Sequence, residues 1–443
     1  MHDPARQARI RATDIGPDEL TAAAPREGGD DCLRLRAARA CVVLFASFSV
    51  VSYFYGILTG HFNGDFYGVP VAIPEWLAFL NLLATLAGFV VLWMIYRFYR
   101  RRPPPAVIPV PVRFLGIFVP LLLIWSIAIT LAFGVGVLGQ SLYTAPGPLT
   151  PVIQVINRIN PFYIGVLHVL VAPPRSRSAR LTIVLLIVLG ISRAGLGVFL
   201  YLGLALLLRH HQAIRSFVRR RKLPLLVVLA IFPFMVSALY DLRGSLRQEV
   251  DSDVVLSVSD IVFARLIGRL SSLSNSALIL QRSGYFVENA SRLHTSYFPQ
   301  QAFAGIFGVQ FLPEVTPERL LVNIDGGELL DVSFMAGTQG NLIIAGIKSP
   351  VAFLIVLVSL LVLVCLTFSV AARLGMNLSL EYALILLIYP VISGVGGEYS
   401  TVMFSIVVIA ALFVAANAAA RAIAGGRTRS APGFRHATGL DPH

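Results

Sequence analysis

Charged residues and cysteines are both scarce in this sequence. Of its 443 residues 13% are charged and 56% are hydrophobic, and the mean hydropathy is +0.77. A soluble domain has about 25% charged and about 45–50% apolar residues. This composition excludes a soluble enzyme and a disordered chain. The sequence holds three cysteines, Cys32, Cys41 and Cys365, and none lies in the long polar segment 241–348, so no disulfide framework is available there. The chain reads as a polytopic membrane protein.

Apolar stretches recur along the chain, and about 20 such residues suffice to cross a bilayer. They predict an all-α fold with about ten transmembrane helices. Residues 1–40 and 421–443 are predicted as cytoplasmic tails, the first of them flexible. Helices 1–7 fall within 41–240 and helices 8–10 within 349–420. The predicted crossings are 41–58, 76–96, 114–137, 151–171, 181–192, 195–208, 223–240, 350–371, 379–396 and 401–420.

Lysine and arginine are confined to alternate short loops. They cluster in 97–113, 172–180 and 209–222, and are missing from 59–75, 138–150 and 397–400. Basic residues favour cytoplasmic loops, so this pattern places both termini in the cytoplasm. The net charge of +13 is then mostly an orientation signal, and we expect no binding of nucleic acid.

One connection, residues 241–348, is far longer than the rest and is predicted to lie outside the membrane on the periplasmic side. Loops of this length are usually functional. Arg243 and Arg247 follow span seven, four residues apart. We expect a large, partly helical loop that carries a site on the outer face.

A glycine-rich break interrupts the apolar stretch 181–208. Each of its two arms, of about 13 residues, spans roughly 20 Å, less than a hydrocarbon core of about 30 Å. Ser192 and Arg193 at the tip should therefore lie at or just below the outer interface. A functional role is favoured over a snorkelling side chain, because arginine is costly inside a membrane.

Arg158 lies in a polar run about two turns inside the predicted outer end of span four. Two interpretations remain open. Either span four is bent and contains a functional arginine, or the span begins later and Arg158 belongs to an interfacial segment.

Residues 260–282 predict an amphipathic helix within the long loop. Arg265 and Arg269 are four residues apart, with Ser272 continuing along the same side. Two guanidinium groups so placed suit a phosphate or diphosphate, which arginine binds in bidentate fashion. The alternative is a solvated face paired with acids of the loop.

Four further residues are candidates for proton transfer: Asp241, His294, Asp331 and Glu398. Each could take a proton from a hydroxyl group, and each could equally be a hydrated loop residue. The sequence contains no phosphate-binding glycine loop of the nucleotide-binding type and no cysteine–histidine metal motif. No cofactor and no metal are expected.

These features together resemble the bacterial Wzy-type O-antigen polymerases, which join oligosaccharide repeat units. The matching stretches are Gly190–Gly195, Arg265–Ser272 and Ser333–Gly340, and the resemblance covers roughly residues 180–400. The chain lacks an acidic residue between Ser333 and Gly340, where the resemblance leads us to expect one. This departure leaves the identity of the base open.

The resemblance implies a GT-C-type glycosyltransferase of the bacterial inner membrane with a periplasmic active site. The substrates would be oligosaccharides linked to undecaprenyl diphosphate, and a chain-length regulator would be a further partner beside the lipid bilayer. Arginines facing the departing diphosphate would then provide electrostatic stabilisation without metal. The catalytic candidates are Arg193, Arg265, Arg269, Asp241, Glu398 and His294. The candidates for substrate binding are Ser192, Arg158, Arg243, Arg247, Ser272 and Asp331.

Three other functions compete with this hypothesis. An O-antigen ligase would share the architecture and depend on His294, the only histidine in 241–348. A flippase or transporter of lipid-linked sugars would carry charges at mid-depth in several spans, where only Arg158 and Arg193 occur. A non-catalytic membrane scaffold would leave these buried arginines without a purpose.

Overall fold

The computed structural model describes residues 28–102, 107–134, 159–193, 195, 197–220, 231, 234, 266–308, 311–325 and 335–429. Throughout these ranges the regular structure is helical, apart from two strands of two residues each, β1 (Ile108–Pro109) and β2 (Leu374–Gly375). The prediction of an all-α membrane protein is confirmed at this level.

The helices before the long loop differ greatly in length. The first three are long and apolar enough to cross a membrane, whereas the fourth has 11 residues. The predicted hairpin over 181–208 is present as two short helices on either side of Arg193. In order they are α1 (Gly28–Thr59), α2 (Glu75–Arg101), α3 (Val112–Phe133), α4 (Pro161–Val171), α5 (Arg177–Ser192), α6 (Gly197–Arg209) and α7 (His211–Arg220).

The long loop contributes short helices only. They are α8 (Gly268–Ser271), α9 (Leu273–Gln281), α10 (Ser283–Asn289), α11 (Tyr297–Phe307), α12 (Pro317–Val322) and α13 (Gly337–Lys348). The prediction of one continuous helix over 260–282 is wrong in its described part. Ser272 adopts a left-handed backbone with φ of 50° and ends α8 before α9 begins.

Three helices complete the chain: α14 (Pro350–Ala371), α15 (Ser379–Ser393) and α16 (Gly396–Arg429). With α14 and α16, five helices of the described chain have the length and apolarity of membrane spans. The bounds of α14 are those predicted. Helix α1 begins at Gly28, within the predicted tail 1–40, and α16 continues to Arg429, within the predicted tail 421–443. Predicted span 223–240 lies almost wholly outside the described residues.

Helix α15 lies at the centre of the bundle. All residues from Tyr382 to Ile388 are fully buried, which is the burial expected of an interior helix that is apolar on every side. In contrast, α1, α2, α3 and α14 each expose several large apolar side chains on one face. Such faces suit lipid tails, so α15 is enclosed by helices that face the membrane.

The two ends of the bundle have distinct structures. At one end β1 pairs with β2 in parallel and ties the chain before α3 to the chain after α14. At the other end, Phe62 and Phe66 from the α1–α2 connection pack with Ile279, Phe286 and Leu321 of the loop helices in a small separate core. We call this second end, with the turn Gly64–Phe66 and helices α8 to α13, the loop end.

Candidate functional site

The structure describes half of the predicted site residues. Arg193, Arg269, Glu398, His294, Ser192 and Ser272 lie within the described ranges. The others, Arg158, Asp241, Arg243, Arg247, Arg265 and Asp331, lie outside them. The site is therefore built from the first group and from the neighbours that the fold gives it.

Arg269 is held by a carboxylate from the first connection of the chain. Its Nε donates to Asp65 Oδ1 at 2.7 Å, and Asn275 Nδ2 donates to Asp65 Oδ2 at 2.9 Å. The Asp65 side chain is 6% exposed and that of Arg269 is 34% exposed. Asp65 thus fixes one edge of the guanidinium group while about a third of the arginine side chain remains accessible.

The backbone beneath this ion pair is tightly packed. A Cβ atom on Gly268 would lie only 2.2 Å from the backbone nitrogen of Gly64, so the two chain segments meet without intervening side chains. Beside them, Asn63 Oδ1 accepts hydrogen bonds from Ser52 Oγ at 2.7 Å and from Ser274 Oγ. Because these bonds join α1 and α9, the position of Arg269 is set by three chain segments.

Ser272 is a buried residue of the turn between α8 and α9, and its side chain does not face a substrate cleft. It is 1% exposed, and its Oγ donates to the Ser271 carbonyl oxygen at 2.8 Å. Its left-handed backbone turns the chain between α8 and α9. The expectation that Ser272 continues the arginine face is therefore corrected, because the helix that would align them is broken at this residue.

Arg193 is buried at the tip of the α5–α6 hairpin. The residue is 9% exposed, its Nε donates to Thr130 Oγ1 at 3.1 Å, and its Cζ lies 5.3 Å from the centroid of the Phe162 ring. A snorkelling arginine would be exposed, so the burial of Arg193 weighs against that interpretation. The neighbouring Ser192 acts locally, since its Oγ donates to the Leu189 carbonyl oxygen at 3.0 Å.

Glu398 lies in the first turn of α16 and faces a group of tyrosines. Ser393 Oγ donates to its Oε2 at 2.7 Å. The phenol groups of Tyr163 and Tyr201 are within electrostatic range of this carboxylate. Tyr389 is within range of Glu398 and also of Asp65 and Arg269. Tyr389 is thus within range of both charged groups, and the tyrosine rings contact one another, with centroids 5.5 Å apart for Tyr163 and Tyr201 and 6.4 Å apart for Tyr201 and Tyr389.

A second buried carboxylate, Glu318, links the loop helices to the turn before α16. Gln301 Nε2 donates to its Oε2 at 2.7 Å and Asn341 Nδ2 donates to its Oε1 at 3.4 Å. The same two amides bind the turn, because Gly396 N donates to Gln301 Oε1 and Asn341 Nδ2 donates to the Gly394 carbonyl oxygen. Burial raises the pKa of the Glu318 carboxyl above its usual value.

His294 does not join this group of charges. The residue is exposed, and its Nδ1 pairs with Ser296 Oγ at 2.8 Å and with Gln300 Nε2 at 3.2 Å. All its described partners lie within six residues in the sequence. The structure thus shows it as a residue of the turn before α11.

An apolar cavity of about 530 Å³ opens beside the site between α2, α13 and α14. Its walls are aliphatic and aromatic, with Leu92, Leu342 and Leu360 among them. Polar groups are confined to a few positions, chiefly Ser271, Thr338, Gln339 and Tyr399. Ser271 follows Arg269 by two residues, so the cavity and the arginine share the short helix α8.

Two acidic residues of this arrangement, Asp65 and Glu318, were not predicted from the sequence. Asp65 is the only acid before Glu75 in a short connection without lysine or arginine, which was a usable indication of a special role. Glu318 follows Pro317 at the start of a short helix and nothing in its local sequence distinguishes it.

In the described part of the chain no three histidine, cysteine, aspartate or glutamate residues are grouped to hold a metal ion.

Comparisons with known proteins identify no relative. No protein-family model matches the chain, and no curated protein or solved structure is significantly similar to it.

Proposed function

We propose that the protein is a membrane glycosyltransferase that polymerises oligosaccharide repeat units carried on undecaprenyl diphosphate. The proposal includes a GT-C-like fold with about ten transmembrane helices, and a site on the periplasmic side of a bacterial inner membrane. The observation that carries it is the placement of Arg269 and Glu398 within electrostatic range of one residue, Tyr389, beside an apolar cavity. The buried Arg193, bonded to Thr130, is the second arginine of the proposal.

The reaction divides into two tasks that these residues can perform. The acceptor hydroxyl oxygen attacks the anomeric carbon of the donor, and the bond from this carbon to the diphosphate oxygen breaks. The electron pair leaves with the diphosphate, whose growing negative charge Arg193 and Arg269 stabilise. The hydroxyl proton passes to a carboxylate, for which Glu398 is our choice among the described residues.

Asp65 gives Arg269 its orientation in this scheme. The ion pair occupies Nε, so it fixes the plane of the guanidinium group before substrate arrives. Preorganised donors of this kind lower the barrier because they need no rearrangement in the transition state. Asp65 is thus a positioning residue.

The apolar cavity supports a lipid-linked substrate rather than a soluble sugar. A polyprenyl chain is aliphatic, so it can pack against the aliphatic walls of the cavity between α2, α13 and α14. The few polar lining groups, such as Thr338 and Tyr399, would face the phosphate end of the chain. A soluble nucleotide sugar is polar and would make few favourable contacts with such apolar walls.

The ligase remains the second candidate, and the position of His294 disfavours it. An essential histidine should face the other charged groups, whereas His294 is exposed and bonded within its own turn. The flippase hypothesis is disfavoured because it would require charges at mid-depth in several predicted spans, where the sequence places only Arg158 and Arg193.

The first test is the glycan ladder of a deletion strain, read on a lipopolysaccharide gel. A polymerase leaves lipid A–core capped with a single repeat and removes the longer bands. Loss of all O-antigen from the core, with accumulation of lipid-linked polymer, would identify the ligase. An unchanged ladder would remove both hypotheses and direct attention to transport.

The second test complements this strain with single variants. We expect Arg193→Ala and Arg269→Ala to reduce chain extension at least about tenfold, because each charge-assisted hydrogen bond contributes about 1.5–3 kcal/mol. Arg292→Ala is the matched control, since Arg292 is an exposed loop arginine whose guanidinium group donates to Asn289 Oδ1, three residues earlier. Normal glycan length in both site variants, with normal membrane insertion, would contradict the proposed role of the arginines.

A further inference from the structure

A groove of about 470 Å³ lies at the C-terminal end of α2, away from the site described above. Three arginines, Arg97, Arg101 and Arg102, line it together with Trp93, Met94 and Phe98. The Arg102 guanidinium carbon lies 3.9 Å from the centroid of the Phe98 ring, a cation–π distance. The groove thus combines clustered positive charge with an aromatic wall.

The charge of this groove is not balanced by the protein in the part that the structure describes. The ion pairs there join Arg100 to Glu381 and Arg269 to Asp65, and neither includes Arg97, Arg101 or Arg102. Arg100 faces the interior, where it also binds Tyr96. An anion that enters the groove therefore meets three guanidinium groups with no described carboxylate to displace.

The same helix face continues as an apolar stripe toward the middle of α2. Val90, Met94 and Phe98 follow one another at intervals of four residues, so they form one row along the helix. Each is about half exposed. A ligand that fits both features has an anionic head and an aliphatic tail.

We propose that this groove binds the phosphate headgroup of an anionic phospholipid, with an acyl chain along the stripe Val90–Met94–Phe98. Arginine forms paired hydrogen bonds with phosphate oxygens, and basic residues at a membrane surface attract anionic lipids. The stripe favours a lipid over free phosphate, because only a lipid has an aliphatic chain that can pack against the exposed apolar side chains. The site is independent of the glycosyl transfer proposed above.

The test is native mass spectrometry of the full-length protein with phosphatidylglycerol and, separately, phosphatidylcholine. We expect wild type to retain phosphatidylglycerol preferentially, and Arg97→Gln/Arg101→Gln/Arg102→Gln to lose about a hundredfold in affinity for it. The matched control is Arg175→Gln/Arg177→Gln/Arg180→Gln, which also removes three arginines, all of them exposed. These lie at the same end of the bundle, because Ser178 Oγ would lie 3.5 Å from a Cβ atom added to Gly116, near the start of α3.

Several results would overturn the proposal. One is an equal loss in the control triple variant, which would show a general effect of charge. Another is equal retention of phosphatidylcholine by wild type. Displacement of bound lipid by millimolar inorganic phosphate would assign the groove to soluble phosphate compounds. Should the triple variant fail to fold, Phe98→Ala replaces it: weakened phosphatidylglycerol binding supports the site, and unchanged binding contradicts it.

Discussion

At the scale of single residues, the least expected feature is the buried carboxyl of Glu318. It is 6% exposed and is surrounded by hydrogen-bond donors from Gln301 and Asn341. These donors favour the charged form, yet burial outweighs them and raises the pKa of the carboxyl. The protonated form is therefore easier to accommodate in the folded protein than in the unfolded chain.

This predicts a pH dependence of stability. An acid whose pKa is raised in the folded state contributes stability that is fully present below its unfolded pKa and is lost as pH rises through the folded pKa. We expect the melting temperature of the detergent-solubilised protein to fall as pH increases above about 4.5. Glu318→Gln should flatten this fall, because the side-chain amide of glutamine does not titrate.

The control for this experiment is Glu314→Gln. Glu314 is exposed on the same segment, so its replacement should leave the pH profile of the melting temperature unchanged. A profile that is identical in wild type and Glu318→Gln would show that Glu318 does not titrate differently in the folded state.

At the scale of elements, the close crossing of α13 with the end of α15 supports the site. Gly337 and Gly394 both have left-handed backbones, with φ of 76° and 74°. A Cβ atom on Gly394 would lie 2.2 Å from the carbonyl carbon of Gly337. Beside this crossing, Thr338 Oγ1 and Tyr399 Oη form a hydrogen bond of 2.8 Å. Tyr399 directly follows Glu398 in the sequence, so this bond links the crossing to the site.

We therefore predict that Gly394→Ala destabilises the protein by roughly 2–4 kcal/mol, from backbone strain together with overpacking. The measurement is the melting temperature in detergent. Gly284→Ala is the matched control, because Gly284 lies in α10 with no atom within 4 Å of an added Cβ. Its melting temperature should stay equal or rise, as alanine favours helix. Equal melting of Gly394→Ala and wild type would contradict the tight crossing.

At the scale of the whole molecule, the alternation of helix directions separates two chemically different ends. The loop end carries the ion pair Arg269–Asp65 and the carboxylates Glu318 and Glu398. The opposite end carries the strand pair β1–β2 and the arginines at the C-terminal end of α2. The sequence-based topology assigns the loop end to the periplasm, and this assignment is a prediction.

Thiol labelling tests this assignment. In a variant whose native cysteines are replaced, we expect a membrane-impermeant reagent to label Glu288→Cys in intact spheroplasts and Arg101→Cys only after permeabilisation. Both positions are exposed, so access to the reagent depends on the side of the membrane. Labelling of Arg101→Cys alone in intact spheroplasts would reverse the orientation, and the proposed periplasmic active site would then be wrong.

The sequence alone determined the features that depend on local composition. The length of the apolar run over 350–371 correctly predicted the bounds of α14, Pro350–Ala371. The free-energy cost of placing an arginine in a membrane identified Arg193, at the tip of its hairpin, as a residue of interest. The predictions failed where long-range packing outweighs local helix propensity. The helix expected over 260–282 breaks at Ser272, because α8 packs closely against Gly64.

Only the tertiary structure decided which residues meet. Asp65 and Arg269 are 204 positions apart, and Gln301, Glu318 and Asn341 gather at one turn from three separate loop helices. No periodicity or local motif encodes such pairings, because they depend on how α15 is enclosed and how the loop helices pack over the α1–α2 connection. Local sequence determines which segments enter the membrane, whereas long-range packing determines which charges are brought together.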